Sequence, residues 1–258
     1  MNLSRSTLLQ HPERIHSALW RGSQLAQSSR PTLSTGFAHL DRQLPGQGWP
    51  LGAAIEFTLA QYGIGEISLL RPALTRLEAG RSIVLVQPPH TPFFQCWAGW
   101  QLLNHPLLWV NPPCPADTLW ACEQILKHNT SAALLVWVNS IRPEAVRRLH
   151  RVAQQSDTLF VLMRPQAALQ QASAAPLRLS LVPAEYGLEL SIIKRQGPAC
   201  SQPLPIALHR PRLPFKSQAY HAVSLDQPLS AFSQPGRPVS SVVQSQSGWS
   251  RAATRTHS

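Results

Sequence analysis

Residues 48–70, GWPLGAAIEFTLAQYGIGEISLL, constrain the fold more than any other stretch, because they read in order as a turn, an apolar strand, a glycine loop and a helix start. Strand, glycine loop and helix is the setting in which a GxxxxGK(S/T) loop holds phosphate. Its backbone amides and the helix dipole face the anion, its lysine reaches the outer phosphates, and its hydroxyl holds magnesium. Here the loop is GIGEIS, with Gly63 and Gly65 as its glycines. Taking Gly65 as the motif's last glycine puts Glu66 in the lysine position and Ile67 in the hydroxyl position, leaving Ser68 as the nearest hydroxyl. Two unit charges about 4 Å apart exchange roughly 4 kcal/mol at an effective dielectric near 20, so a glutamate facing phosphate reverses the sign of the attraction. The loop is expected to bind no nucleotide.

Short apolar runs follow at 82–86, 107–110, 133–138 and 158–163, and join 53–59 as strand candidates. Between them, 65–79, 93–103, 115–127 and 143–155 have helical length and spacing. Strands apolar on both faces, alternating with helices, predict a parallel sheet covered on both sides, with right-handed crossovers. From 177 the pattern changes to three strands without helices, at 177–182, 187–194 and 204–209, with a turn at Tyr186 and Gly187. They are expected to extend the sheet in antiparallel fashion. The predicted fold class is α/β: a central, mostly parallel sheet with a degenerate nucleotide site and antiparallel C-terminal strands.

Nucleotide hydrolysis also needs an acid at a neighbouring strand end to hold magnesium, and a group to prime water. The strand at 82–86 runs into Gln87, Pro88, Pro89 and His90, and the strand at 133–138 into Asn139 and Ser140. Gln87 and Asn139 bring no charge to the acid positions. The chain is therefore read as a non-enzyme, with no catalytic residue and no cofactor.

Composition divides the 258 residues into three parts. An arginine-bearing arm, 1–32, is expected to carry a short helix around 12–25. An α/β domain spans 33–209. A tail, 210–258, is rich in Pro, Ser and Gln, and such a segment buries too little apolar area to offset its ordering entropy. The tail keeps scattered anchors, Phe215, Tyr220, Phe232 and Trp249, of the kind short linear motifs use. The net charge of +11 comes mostly from arginine, a residue suited to phosphate and carboxylate, so nucleic acid and acidic protein surfaces are both natural partners. Cys96, Cys114, Cys122 and Cys200 show no metal or redox spacing. No run of about 18 apolar residues is present to span a membrane, so a soluble, cytoplasmic protein is expected.

The best surface feature is IRPEAVRRLHRVAQQ, residues 141–155. Helical spacing turns Val146, Leu149, Val152 and Ala153 inward and Arg147, Arg148 and Arg151 outward, with Glu144 placed to pair with Arg148. Lys194 and Arg195 form a second basic point at a strand end. Both read equally as solvated faces or as contacts to an acidic partner or DNA. Trp49, Trp97, Trp100, Trp109, Trp120 and Trp137 lie in apolar settings that read as core.

The segment TGFAHLDRQLPGQGWPLGAAIEF resembles the lead-in of RecA-type recombinases, and the wider chain, 33–208, is closer still to the ImuA family of RecA-like accessory proteins. The likeness rests on the GIGE loop, VQPPHTPF, Trp109 to Pro113, the helix ADTLWACEQIL, Arg164 with Pro165, and Ile193, Lys194, Arg195, Gly197 and Pro198. It implies a RecA-like core acting in damage-induced translesion synthesis, associated with the nucleoid when DNA is damaged. The implied partners are an inactive Y-family polymerase homologue called ImuB, RecA, and an error-prone polymerase III alpha-type subunit. A second resemblance, to the SulA cell-division suppressor, rests on VNPPCPADTLWACEQIL and the Met-Arg-Pro strand end, and implies FtsZ as partner. A third reading is a DNA-binding RecA paralogue using the five basic residues named above.

Overall fold

A computed structural model of the chain describes residues 30–197 and 202–208. The described chain enters through a small antiparallel ribbon, Thr32–Leu33 (β1) against Trp49–Pro50 (β2), with the short helix Ala38–Asp41 (α1) between them. Asp41 organises this lead-in, its carboxylate accepting the Ser34 hydroxyl and the Thr35 amide, each at 2.8 Å. Trp49 is fully buried, with its ring centroid 5.6 Å from that of Phe57.

The apolar runs then build one eight-stranded sheet. Its strands are Ala54–Leu59 (β3), Ser82–Val86 (β4), Leu107–Val110 (β5), Ser131–Trp137 (β6), Leu159–Pro165 (β7), Leu177–Ala184 (β8), Gly187–Lys194 (β9) and Leu204–Ala207 (β10). They lie side by side in the order β10-β9-β8-β3-β7-β6-β4-β5. All of β3 and β6 is buried, which is why these strands read as continuous apolar runs rather than as alternations. Helices Glu66–Leu74 (α2) and Phe94–Gly99 (α3) pack with α1 on the face carrying Ile55, Phe57 and Val161. Helices Pro115–His128 (α4) and Pro143–Ala153 (α5) cover the face carrying Ala54, Phe160 and Leu162. Two cores, one on each face, follow from the two-residue period of the strands.

Three expectations need correction. The first of the late strands, β8, runs parallel to β3, with Ile55 opposite Leu177, so only β9 and β10 are antiparallel. A single 3-10 turn, Gln166–Gln170, is followed by a stretch that returns the chain to the starting end of the sheet. Arg178 holds that return, donating to the carbonyls of Gln171 (2.9 Å) and Ala168. Second, α2 stops at Leu74 rather than at 79: it runs on past Pro72, and the Thr75 amide closes its last four-residue bond, to the Arg71 carbonyl. The last amides, of Arg76 and Leu77, fall back to three-residue bonds with Ala73 and Leu74. Third, α3 ends at Gly99 rather than 103, where Gln101 adopts a left-handed φ of 62°. The expected helix around 12–25 and the anchors Phe215, Tyr220, Phe232 and Trp249 lie outside the described residues. Among the described residues no helix is long and apolar enough to cross a membrane.

Candidate functional site

The carboxyl ends of parallel strands are where open α/β sheets bind ligands, and the glycine loop lies there, between β3 and α2. Gly63 (φ 82°) and Gly65 (φ 120°) take left-handed conformations that turn their amides into the loop. The Glu66 carboxylate curls back beneath them. Its Oε1 accepts the Gly63 amide at 2.9 Å and its Oε2 the Gly65 amide at 3.1 Å. Only 3% of the Glu66 surface is exposed. A side chain pointing where a lysine would point faces phosphate and repels it; this carboxylate instead occupies the anion position itself, at the positive end of α2. Two backbone donors that a phosphate would take are already spent on a side chain of the loop.

The two lost acid positions are likewise engaged. Gln87, at the end of β4 with φ 52°, donates its side-chain amide to the Pro112 carbonyl, tying that strand end to the loop after β5. Asn139, after β6, accepts the Tyr62 hydroxyl at 2.8 Å. Burial raises the Tyr62 pKa above its ordinary value, with nearby Arg164 lowering it and Glu66 adding to the rise. Tyr62 went unnoticed in the sequence, where nothing distinguishes it from any other loop aromatic.

The filled loop separates two clefts. One, of about 400 Å³, is lined by Gly63, Ser68, His90, Trp97, Trp100 and Trp137; the other, of about 760 Å³, lies towards Tyr186 and Leu208. Ser68 borders both. The Trp137 indole N–H is buried without a hydrogen-bond partner among the described residues, at the wall shared by the smaller cleft and a third one that contains Tyr62 and Asn139.

A second polar cluster sits inside the molecule. Glu56, on β3, is fully buried and accepts Arg164 Nη1 (3.2 Å), Arg178 Nε (2.9 Å) and the Ser173 hydroxyl. Arg164 also donates to Gln171 Oε1 at 2.7 Å. In the sequence Glu56 stands only within the segment AIEF and Arg164 beside Pro165, and nothing there pairs them. An ionisable residue within an otherwise apolar strand is the signal that could have found it, since such a charge must be partnered.

The basic residues gather at the opposite end of the sheet from the loop. Arg147, Arg148 and Arg151 are exposed on α5, with Val146, Leu149 and Ala153 buried beneath them, as the spacing implied. Arg148, however, bridges to Glu123 on α4, which also binds Lys127 at 3.2 Å, so the expected Glu144 partner is replaced by one on the neighbouring helix. Glu123 has a lowered pKa: burial raises it, and the hydrogen bonds from Lys127 and Arg148 outweigh that. Lys194 donates to the Ser173 carbonyl at 2.9 Å and Arg195 to that of Gln43, so both anchor loops. His150 links the two basic regions. Its Nδ1 accepts the Ala54 amide at 3.2 Å, and burial, then the charges of Arg30 and Lys194, lower its pKa.

Among solved structures, the chain is similar to SulA from Pseudomonas aeruginosa. The two share 21% identity at a TM-score of 0.36, over 43% of this chain and 97% of that one. No protein-family model matches the chain, and no curated protein does.

Proposed function

We propose that this chain is a non-catalytic accessory protein of SOS-induced translesion DNA synthesis, a RecA-like core of the ImuA type that works through protein contacts. The observation that carries the reading is Glu66, which fills its own phosphate loop by accepting the Gly63 and Gly65 amides. Gln87 and Asn139, committed to Pro112 and Tyr62, support it, since no acid stands where magnesium would be held. A fold kept while its nucleotide chemistry is closed off is a scaffold. The sequence resemblance supplies the partners: an ImuB-type polymerase homologue and RecA directly, and an error-prone polymerase III alpha-type subunit through them. The protein would be cytoplasmic and join the nucleoid on damage. The test is capture of a purified ImuB-type homologue by the full-length chain in buffer without nucleotide; no binding would sink the proposal.

Direct DNA binding is the second reading, favoured by the exposed Arg147 and Arg151 on α5. It predicts binding by the chain alone, weakened by charge reversal at those two residues.

A further inference from the structure

The sheet ends at β5, and among the described residues nothing pairs with its outer side. Its inner side is bonded to β4. The Ile83 amide donates to the Pro106 carbonyl and the Gln87 amide to that of Val110. In a parallel ladder residues alternate in direction, so Leu108 and Val110 point their backbone groups at β4, while Leu107 and Trp109 point theirs outward. Edge strands elsewhere are protected by charged side chains or by a covering element. Here Leu108 is 49% exposed and Trp109 50%.

The uncovered apolar surface continues on both faces of that edge. Trp109 shares its face with Leu107, on the side of α3, where Phe93, Phe94 and Leu103 are also exposed. Leu108 shares its face with Val110, on the side of α4, where Trp120 is 64% exposed. Trp109 and Trp120 were expected in the core; both are on the surface. Scattered apolar residues on a surface are ordinary, but a strand edge with apolar groups on both faces and open backbone donors marks an interaction site.

Charge selects the occupant. From Ser82 to Cys122 the only charged residue is Asp117, in a chain of net charge +11. Two copies of so basic a molecule repel at most surfaces, and this edge is where they meet without like charges opposed. We infer that β5 pairs with β5 of a second copy of this chain, antiparallel and about a two-fold axis, joining the two sheets into one. An isologous contact of this kind presents the same residues from both sides. Pro106 and Pro112 bracket the ladder and limit slippage. With Leu108 facing Leu108 of the second copy, Leu107 and Trp109 of each exchange their outward amides and carbonyls, and the exposed apolar groups of both layers become buried.

Light scattering and sedimentation of the full-length protein test this. The expected result is a concentration-dependent shift to twice the 28.5 kDa chain mass. Leu108→Lys and Leu108→Glu, at a half-exposed position where folding is checked by circular dichroism, should each lose the dimer by setting like charges opposite one another. An equimolar mixture of the two should regain it, which a merely misfolded variant would not do. A wild-type monomer at every concentration, a dimer indifferent to Leu108→Lys, or a mixture that stays monomeric would each overturn the inference. A monomer whose Trp109 amide is nonetheless protected from hydrogen exchange would do so too, by assigning the edge to another part of the chain.

Discussion

At Glu66 a carboxylate two carbons long does what a bound phosphate does elsewhere: it gives backbone amides at a helix start an anion to hold. Its presence in the motif was legible in the sequence, but its direction was not. Reading Glu66 as a lysine replacement assumes that the side chain points where a lysine would, whereas a short acceptor turns to the nearest donors, supplied here by glycines at positive φ. Glu66→Lys is expected to leave ATP binding absent by calorimetry, because Gln87 and Asn139 still supply no acid. Restored binding would show that the site is lost at one position rather than several. The same variant leaves two loop amides without their acceptor and should cost ~2 kcal/mol in denaturant unfolding. Glu56 carries higher stakes. Glu56→Gln leaves Arg164 and Arg178 buried without a counter-charge, and should destabilise the fold by about 3–5 kcal/mol in urea titration. A change under about 1 kcal/mol, as for an exposed pair, would refute the picture of a buried charge cluster.

Among the elements, strands were read more accurately than helices, and the reason is physical. The runs at 82–86, 107–110 and 187–194 match β4, β5 and β9 at both ends, since turn residues bracket them sharply. Helix periodicity carries no such stop, so α2 and α3 read too long: α2 slips to three-residue bonds after Leu74, and α3 gives way to the left-handed Gln101. The direction of β8 was not legible, because the return that reverses it depends on Arg178 reaching the carbonyls of Ala168 and Gln171 rather than on a helix. Helix α5 was legible face by face, yet the partner of Arg148 was not, because a sequence displays neighbours along a helix and not across two. The same helix carries a pH response. His150 accepts the Ala54 amide through Nδ1 and is thus neutral at that atom in the fold, with a pKa below its usual value. A base whose folded pKa is depressed contributes stability that is full above the unfolded value, near 6.5, and is lost as pH falls through the folded one. Urea midpoints should therefore decline from pH 7.5 to 5.5, and His150→Gln should flatten that decline; an unchanged slope would remove His150 as its source.

Charge is unevenly spread along the described residues. The arginines of α5, with Lys194 and Arg195, contrast with the nearly uncharged stretch from Ser82 to Cys122. Any contact with nucleic acid through the basic side must therefore be salt-sensitive. For single strands, log affinity should fall with log salt at about 0.7 per neutralised phosphate, with the slope reduced in an Arg147→Glu, Arg151→Glu variant. A flat salt response would exclude phosphate contacts. Apolar association of two such basic chains at the β5 edge should instead be strengthened by the same titration, because salt screens their repulsion and sulfate favours apolar burial, so one experiment separates the two surfaces. The self-filled loop has a further consequence for how such a molecule is governed. Proteins that hold a nucleotide between β-strand and helix cycle between loaded and empty forms, and the cell reads their state through its ATP supply. On the proposed reading, a loop whose anion is part of the chain has one form, and timing passes to how much protein is made and how long it lasts, and to which surfaces its partners find uncovered.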